Sequence, residues 1–435
     1  MSNEIIRISN IAEKYQKVDT VMYFLNKENL KQSANKIAGN KAVGVDKVTK
    51  QEYMEHLDEN IERLIMNLKK MAYKPKAVRR VYIPKVGSDK KRPLGIPAFE
   101  DKIVQDGMTQ ILNAIYEPMF KEFSFGFRPK RSCHQSIAYL NSMIQGNRAN
   151  YVVDLDIKGY FDNIDHEWLI KFLEYRINDR VFIRYVKRFL KSGILEQGKL
   201  LKIEKGTPQG GIISPVLGNI YLHFVLDEWF EKRVKEATKG YSGMVRYADD
   251  VVACFQYKEE AERFLRSVRK RLAEFGLELS EEKTKIIEFG KCAIENRKAR
   301  GEGKPETFNF LGFTHYCGIT AQGKHITKRK TEAKKQRAKI QEMKVWLKKR
   351  MHCKVSETIE LLNIKLLGHY RYYGITDNTE CTRRFYEVTV KMLYKILNRR
   401  TQKNKYSYEE YYKKIETKIV KPKIYVDIVK MSIMI

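Results

Sequence analysis

The sequence is poor in the features that mark zinc-binding, secreted and membrane-spanning proteins. Its 435 residues include six cysteines, none in a Cys-x-x-Cys pair, which argues against a zinc ribbon and a dense disulfide framework. The longest apolar stretch, residues 212–226, is interrupted by Ser214, Pro215, Asn219 and His223, whereas a transmembrane helix needs about 20 apolar residues. The first residues have no signal-peptide core. We therefore expect a cytoplasmic protein with reduced thiols and no membrane partner.

Recognisable nucleophile motifs are missing as well. None of the eight histidines stands beside a Ser or Cys in a hydrolase motif. His166 follows an aspartate and His223 lies in an apolar segment, so we interpret both side chains as structural. Hydrolase triads and zinc sites are therefore poorly supported.

Acidic residues are far outnumbered by basic ones. The chain has 84 Lys and Arg against 53 Asp and Glu, a formal net charge of +31. Such an excess repels itself unless an anionic partner is present, and nucleic acid is the usual partner. A membrane surface would require a basic amphipathic helix, or a terminal polybasic run beside a lipid anchor; no anchor motif is found, and the charge is spread along the chain. The composition thus predicts salt-sensitive binding to phosphates with little sequence preference.

Hydropathy patterns predict short helices over residues 1–75, a mixed region of strands and helices after them and a helical region towards the C-terminus. Ile61, Leu64, Ile65 and Leu68 form one apolar helical stripe. The mixed region contains strand patterns and an amphipathic helix, at residues 78–97, 151–156, 244–255 and 259–276. No proline occurs between residues 305 and 422, so most of that stretch is predicted helical. These patterns predict an α+β fold.

Two acidic features stand out in this basic protein. Asp156 ends an apolar strand, and Asp249 and Asp250 lie in a turn between two apolar strands. Adjacent carboxylates repel each other and need a cation, and oxygen ligands beside basic residues suit Mg²⁺ shared with substrate phosphates. Two such ions about 4 Å apart would activate a 3′-hydroxyl and stabilise a leaving pyrophosphate. An isolated Asp-Asp is more often a turn signal, but these flanking strands are too apolar for a surface hairpin.

Further candidates surround these carboxylates in sequence. The turn at residues 206–211 has glycines that permit close approach to a ligand, and Gln209 could donate a hydrogen bond there. Lys85 and Arg92 flank a hairpin and could bind a triphosphate, and Lys283 could reach a leaving group. Taken singly, the turn is better explained as a structural loop and each cation as a solvated side chain.

The order of these motifs resembles a bacterial reverse transcriptase of the group II intron type. Residues 44–46 resemble the N-terminal extension of that lineage, and residues 355–400 resemble its maturase, or thumb, domain. The matching blocks are IPK and RPLGIP within 83–97, FGFRP at 125–129, DLDIKGYFD at 154–162, GTPQGG, SP and NI within 206–220, YADD at 247–250, LELSEEKT at 277–284 and FLGF at 310–313.

The resemblance implies a right-hand polymerase with an N-terminal extension (1–75), fingers and an antiparallel palm sheet (76–320) and an α-helical thumb or maturase domain (321–435). Asp156, Asp249 and Asp250 would be the catalytic, metal-binding triad, with two Mg²⁺ ions or Mn²⁺ in their place. Asp156 is preferred to Asp154 because Phe161, five residues later, then takes the aromatic position that excludes a ribose 2′-hydroxyl. The incoming deoxynucleotide would contact further candidates already named: Lys85, Arg92, Gln209 and Lys283.

Nucleic-acid contacts are expected mainly in the basic segment 324–350, which holds twelve Lys and Arg. We predict a thumb helix that packs an apolar stripe and places its cations along the template–primer backbone; the alternative is a solvated charged helix. The candidate contacts are Lys334, Lys335, Arg337, Arg128 and Arg371. The tyrosines at 370, 372 and 373 fit either stacking on RNA bases or a place in the core.

The resemblance therefore implies an RNA-directed DNA polymerase that extends a DNA primer on an RNA template, and a maturase that binds group II intron RNA. Two alternatives remain. One is a domesticated enzyme of phage defence or DNA repair; the other is an RNA-binding splicing factor whose polymerase site is vestigial. The intact YADD motif and Asp156 argue against the second.

Overall fold

A computed structural model describes residues 3–84, 91–146, 149–208, 210–400 and 406–434, and within these ranges helices surround three sheets. The strands in chain order are β1 (Val78–Pro84), β2 (Lys91–Ile96), β3 (Tyr151–Asp156), β4 (Ile194–Glu196), β5 (Lys199–Leu201), β6 (Ser242–Tyr247), β7 (Asp250–Phe255), β8 (Lys285–Glu288), β9 (Phe308–Phe310), β10 (Phe313–Ile319) and β11 (His325–Thr331). Most pairings are antiparallel, so the fold belongs to the predicted α+β class.

Helices fill the rest of the described chain. In order they are α1 (Asn3–Lys14), α2 (Lys27–Lys36), α3 (Lys50–Glu55), α4 (Leu57–Lys69), α5 (Phe99–Tyr116), α6 (Cys133–Gly146), α7 (Tyr160–Asn163), α8 (His166–Glu174), α9 (Arg180–Leu190), α10 (Ser214–Leu222), α11 (Lys235–Ala237), α12 (Lys258–Glu274), α13 (Ala293–Ala299), α14 (Ala333–Lys349), α15 (Val355–Tyr373), α16 (Thr379–Asn398), α17 (Tyr408–Lys414) and α18 (Ile428–Ile433). Two π-helical turns, His223–Asp227 and Phe230–Val234, join α10 to α11. No helix of the described chain combines the length and apolar character needed to span a bilayer.

The N-terminal helices pack on α5 through their apolar faces. Ile61, Leu64 and Leu68 of α4 are buried, which confirms most of the predicted stripe. The next segment, β1 and β2, forms the predicted hairpin, and β4 and β5 extend the sheet on the β1 side. The turn at 87–90 lies outside the described residues.

The central sheet separates two cores because side chains alternate between the faces of a strand. Its strand order is β6-β7-β3-β8. Val153 and Leu155 of β3 face the larger core, which includes α5, α8, α9, α10 and α12. Val152 faces the second core, with α6 and the third sheet, and Asp154 and Asp156 share its face of the strand. The predicted strands at 151–156 and 244–255 and the amphipathic helix that follows are all confirmed.

The third sheet corrects the predicted helix over residues 324–350. Residues 325–331 form β11, paired with β10, and only α14 is helical in that segment. Thr327, Arg329 and Thr331 are buried, so every second side chain points inward, which is the period of a strand. Because one of these inward side chains is an arginine, the sequence resembles a run of surface charge. Arg329 is accommodated because it donates to Asn141 Oδ1 and to Asp377 Oδ2, both at 2.6 Å. The predicted boundary near residue 320 therefore falls in the β10–β11 turn.

Beyond Ala333 the described chain is mostly helical, as predicted, and builds a third core. Met343 and Leu347 of α14 pack there with residues of α15, α16 and α17. Tyr370 is fully buried, with its hydroxyl 3.4 Å from the Val420 carbonyl, so the core alternative holds for this tyrosine. Tyr372 and Tyr373 pack against Phe313 of the third sheet.

A buried histidine in this sheet makes stability depend on pH. His315 is fully buried and stacks on Phe308 at 4.9 Å, and neither ring nitrogen has a hydrogen-bond partner among the described residues. Burial, together with the Arg329 charge, lowers the pKa of His315 to about 3. Because the unfolded imidazole titrates near pH 6.5, this group's contribution is lost as the pH falls from about 6.5 towards 3.

We expect His315→Phe to remove that acid sensitivity while keeping the ring stack. At pH 5 the unfolded state binds a proton that the buried histidine does not, so the free energy of unfolding of wild type is lower by about 2 kcal/mol than at pH 7.5, at 1.36 kcal/mol per pH unit. Urea unfolding at both pH values gives the difference in the free energy of unfolding between pH 7.5 and pH 5. That difference should be smaller in His315→Phe than in wild type by this amount. His56→Gln is the matched control, because its side chain is 68% exposed. An unchanged difference in His315→Phe would contradict the assignment.

Candidate active site

The two acidic motifs meet at one edge of the central sheet. In the β3–β7 register Asp156 lies opposite Asp250, which sets their Cα atoms ~4.5–5.5 Å apart. Asp249 lies in the turn between β6 and β7, where Ala248 adopts a left-handed conformation with φ of 56°. The sheet thus brings all three predicted carboxylates together, although residues 156 and 249 are far apart in sequence.

Burial and mutual repulsion disfavour the charged form of these carboxyls. Burial, followed by the Asp249 charge, raises the pKa of Asp250 to about 6. Burial is also the main cause of a raised pKa at Asp249, and the Asp156 charge adds to it. Asp154, on the same face of β3, has its pKa raised to about 7 by burial and then by Asp250 and Asp156. The cluster therefore requires positive charge to be fully ionised at neutral pH.

One such charge is Lys283, which the segment after α12 delivers to the cluster. Its Nζ lies 2.8 and 3.0 Å from the two carboxylate oxygens of Asp156. The backbone holds this geometry, because Ser280 N donates to the Asp156 carbonyl at 2.8 Å and Asp156 N lies 3.4 Å from Thr284 Oγ1. A lysine that pairs with a carboxylate of the cluster supplies part of the charge a metal would supply.

Two more predicted cations approach the carboxylates from other elements. The positive charge of Arg92, on β2, acts to lower the pKa of Asp249, and that of Lys335, on α14, acts to lower the pKa of Asp250. Lys334 and Arg337, in the first turns of α14, are exposed, as is Arg371 near the end of α15. The structure thus places Lys335 near the cluster and leaves the side chains of Lys334, Arg337 and Arg371 exposed to solvent.

Phe161 lies in α7, the short helix that follows β3. Its ring contacts Tyr160 at 5.0 Å and lies against Gly218 of α10. Thr207 N donates to the Phe161 carbonyl at 2.7 Å, which ties the turn at residues 206–211 to α7. A Cβ at Gly210 would lie 2.4 Å from the Gly95 carbonyl, so the turn also touches β2. Two predicted nucleotide contacts, Lys85 and Gln209, lie outside the described residues.

Arg128 lies inside the protein rather than on a nucleic-acid surface. Its side chain is 4% exposed and pairs with Glu117 at 2.8 Å. Its Nη1 donates to the carbonyls of Lys121 and Ser124 at 2.6 and 2.7 Å, and its guanidinium stacks on Phe120. With these partners Arg128 fixes the loop that follows α5, and that loop leads to Gly126.

A buried polar network behind the YADD turn is absent from the sequence-based expectations. Arg246 and Asp227 are fully buried and pair through two hydrogen bonds of 2.8 and 2.5 Å. Arg246 Nη1 also donates at 3.0 Å to Asn219 Oδ1 and to the Ala248 carbonyl. Asn219 Nδ2 in turn donates to the Gly126 carbonyl at 2.6 Å. The sequence does carry a signal for this network, since both ionisable residues interrupt apolar runs.

The donor set at the cluster fits a hard divalent cation. Asp156, Asp249 and Asp250 offer only carboxylate oxygens, which Mg²⁺ and Mn²⁺ accept. Among the described residues, no three His, Cys, Asp or Glu side chains are arranged to hold one ion together. Asp156 is paired with Lys283 instead.

Comparison with known proteins places this site in a family. Residues 83–315, more than half of the 435-residue chain, match the family model described as reverse transcriptase (RNA-dependent DNA polymerase). That span contains β2, the whole central sheet, the turn at residues 206–211 and the carboxylates of Asp156, Asp249 and Asp250.

Curated relatives agree with the family model. The chain is 48% identical over 166 residues to the group II intron-encoded protein LtrA of Lactococcus lactis subsp. cremoris, covering 38% of this chain and 27% of that protein. It is 37% identical over 193 residues to protein YkfC of Escherichia coli K12, covering 44% and 50%. It is 31% identical over 307 residues to the putative COX1/OXI3 intron 1 protein of Saccharomyces cerevisiae, covering 60% and 36%. The chain thus matches half or less of each relative's length. It belongs to the reverse transcriptase (RNA-dependent DNA polymerase) family, among group II intron-like reverse transcriptases and maturases.

Proposed function

We propose that this protein is an RNA-directed DNA polymerase that extends a primer 3′-hydroxyl with deoxynucleoside triphosphates. The observation that carries the proposal is the meeting of Asp156, Asp249 and Asp250 at one sheet edge, in a family of polymerases. Phosphoryl transfer needs alignment and charge neutralisation more than covalent chemistry from the protein, and a carboxylate cluster ringed by cations suits that need.

The carboxylates would hold two divalent cations, Mg²⁺ or Mn²⁺, which when bound activate the attacking hydroxyl and neutralise the leaving pyrophosphate. This requires Lys283 to release Asp156. Its Nζ is on an exposed side chain, so it can turn to the triphosphate without leaving its loop. Arg92 approaches the same cluster from β2 and would bind the triphosphate, together with Lys85 and Gln209.

Phe161 would select the sugar. Its ring lies five residues beyond Asp156, where contact with the nucleotide C2′ leaves no room for a hydroxyl. The ring is half-buried and rests on α10, so it cannot retreat freely from a bulky substituent. We therefore propose deoxynucleotides as the substrates.

We assign the polymerase parts to the elements of the fold. The sheet of β1, β2, β4 and β5 would be the fingers, the central sheet the palm, and α14 to α17 the thumb. Residues 1–75 would be the N-terminal extension. Arg128 would act by fixing the loop that supports the YADD turn instead of contacting nucleic acid, because its guanidinium is already bound within the protein.

A maturase role is the second part of the proposal. The net charge of +31 and the resemblance to intron-encoded proteins favour binding of a structured RNA, with RNA template and DNA primer as the partners in synthesis. Lys334, Lys335, Arg337 and Arg371 would contact the nucleic-acid backbone. A domesticated role in phage defence or DNA repair would keep the polymerase and lose the intron.

Neutralising three thumb cations should weaken nucleic-acid binding. We expect Lys334→Gln, Lys335→Gln and Arg337→Gln together to lower affinity for a template–primer duplex. The slope of log affinity against log salt should flatten by roughly 2–3, at about 0.7–0.9 for each phosphate that the protein no longer neutralises. Filter binding at several salt concentrations measures both quantities.

A matched control removes the same charge elsewhere. Lys232, Arg233 and Lys235 lie in the π-helical turn Phe230–Val234 and at the start of α11, a segment that packs Phe230 and Val234 into the core on the sheet face opposite Asp154 and Asp156. Changing these three to Gln should leave the slope nearly unchanged. Equal flattening by the two triple variants would mean that the thumb cations act only through net charge.

The direct test of function is primer extension on an RNA template with a DNA primer, deoxynucleotides and Mg²⁺. We expect templated DNA synthesis. No synthesis, with tight RNA binding retained, would overturn the polymerase proposal in favour of a splicing factor. Sequencing the RNA that co-purifies would then separate the biological roles, because a structured intron indicates a maturase and a short dedicated RNA indicates domestication.

A further inference from the structure

A glycine in the middle of α10 contradicts the helix's own preference. Gly218 lies at the fifth position of Ser214–Leu222, and glycine in a helix interior is about 1 kcal/mol less favourable than alanine. It has ordinary helical geometry and needs no positive φ, so backbone freedom does not explain it. Packing at the missing side chain is the remaining explanation.

The space beside Gly218 is filled by two aromatic rings. A Cβ there would lie 2.9 Å from Cε1 and 3.5 Å from Cζ of Phe161, and 3.3 Å from Cε1 of Tyr160. The Gly218 carbonyl also accepts a hydrogen bond from the Tyr160 hydroxyl at 2.5 Å. The helix surface at this position is therefore the support on which the Phe161 ring rests.

Neither aromatic residue can avoid an added methyl by moving its backbone. Tyr160 is buried and its hydroxyl is held by the helix. Phe161 is fixed through its carbonyl, which accepts from Thr207 N at 2.7 Å, and the next residue is in contact with Gly206. A methyl at residue 218 would thus press hardest on the Phe161 ring, whose Cε1 is the nearest atom at 2.9 Å, and displace that ring by torsion away from α10.

We propose that Gly218 is a specificity-determining residue that sets how far the Phe161 ring projects towards the sugar of the incoming nucleotide. The proposal rests on the polymerase function and on the role of Phe161 proposed above. With glycine at 218 the ring lies close to the helix and leaves room for a deoxyribose. A larger residue pushes the ring towards C2′, where a 2′-hydroxyl is rejected first because it has the least clearance.

The test compares ribonucleotide with deoxynucleotide incorporation by wild type and Gly218→Ala. Single-nucleotide extension gives kcat/KM for each substrate. We expect the ratio of ribonucleotide to deoxynucleotide efficiency to fall roughly tenfold, the lower end of what one methylene-sized change achieves in a tight pocket. A destabilised but otherwise normal site would lower both efficiencies and leave the ratio unchanged.

Two further variants isolate the ring as the cause. In a Phe161→Ala background, Gly218→Ala should no longer change the ratio, because no ring remains to be displaced. Gly368→Ala is the matched helix control: a Cβ there meets nothing within 4 Å, so the ratio should stay at the wild-type value. If Gly218→Ala does not fold, adding Phe161→Leu, which removes the contacted ring atoms, should restore folding.

The outcomes separate this inference from the function on which it rests. No synthesis by wild type overturns the polymerase proposal and this inference with it. Wild-type synthesis with an unchanged ratio in Gly218→Ala overturns this inference alone. So does an equal ratio change with and without the Phe161 ring, or failure of Phe161→Leu to rescue a misfolded Gly218→Ala chain.

Discussion

Replacing Asp249 by asparagine is expected to abolish primer extension while RNA affinity stays at the wild-type level. The substitution keeps the size of the side chain and removes one of three anionic oxygen donors at the sheet edge. Loss of ~4 kcal/mol of transition-state stabilisation corresponds to a rate reduced roughly a thousandfold. Primer extension and filter binding on the same RNA template measure the two effects separately.

Asp154→Asn is the matched control, because it removes a carboxylate two residues from Asp156 on the same strand face. We expect it to retain synthesis, whereas Asp156→Asn should lose it. Asp154 also gives a stability readout without divalent cations. Its pKa is raised to about 7 in the folded state and is near 3.9 when unfolded, so wild-type stability falls as the pH rises from about 4 to 7. Asp154→Asn should therefore be more stable than wild type at pH 8 and equal to it near pH 4. Synthesis lost in Asp154→Asn and kept in Asp156→Asn would reverse the assignment.

Local sequence signals predict the elements that carry the carboxylates. The strand before Asp156, the strands around Asp249 and the amphipathic α12 each have a clear period, and all three are present. Their apolar patterns depend on which side of each element faces a core, and residues close together in the sequence carry that information.

Features that depend on distant partners are harder to predict. The charge pattern wrongly predicts a helix at β11 because Arg329 resembles surface charge, and only Asn141 and Asp377, far away in sequence, make its burial possible. Arg128 resembles a nucleic-acid contact for a similar reason: its partners, Glu117 and the loop carbonyls, are invisible in a pattern of charges. Lys283 is a candidate from the sequence alone, but its ion pair with Asp156 spans 127 residues.

Variants of the Arg246–Asp227 pair can separate its effect on stability from its effect on the alignment of the turn that bears Asp249. Asp227→Ala leaves a fully buried guanidinium without its carboxylate. We expect a loss of about 3–5 kcal/mol in the free energy of unfolding, as for other buried pairs broken on one side, and a matching loss of synthesis. Chemical denaturation and primer extension measure the two effects.

The informative variant replaces both partners with apolar residues of similar volume, Asp227→Leu with Arg246→Met. Most of the stability lost in Asp227→Ala should return, because no unpaired charge remains. Synthesis should not return. The Ala248 carbonyl and Asn219 Oδ1 lose their donor, and Ala248 holds a left-handed conformation that costs an L-residue ~1–2 kcal/mol and needs that support. A double variant that is stable and inactive would show that the pair aligns the turn bearing Asp249. One that regains full synthesis would mean that the pair only fills the core, and that the strand register alone sets the geometry of the carboxylates.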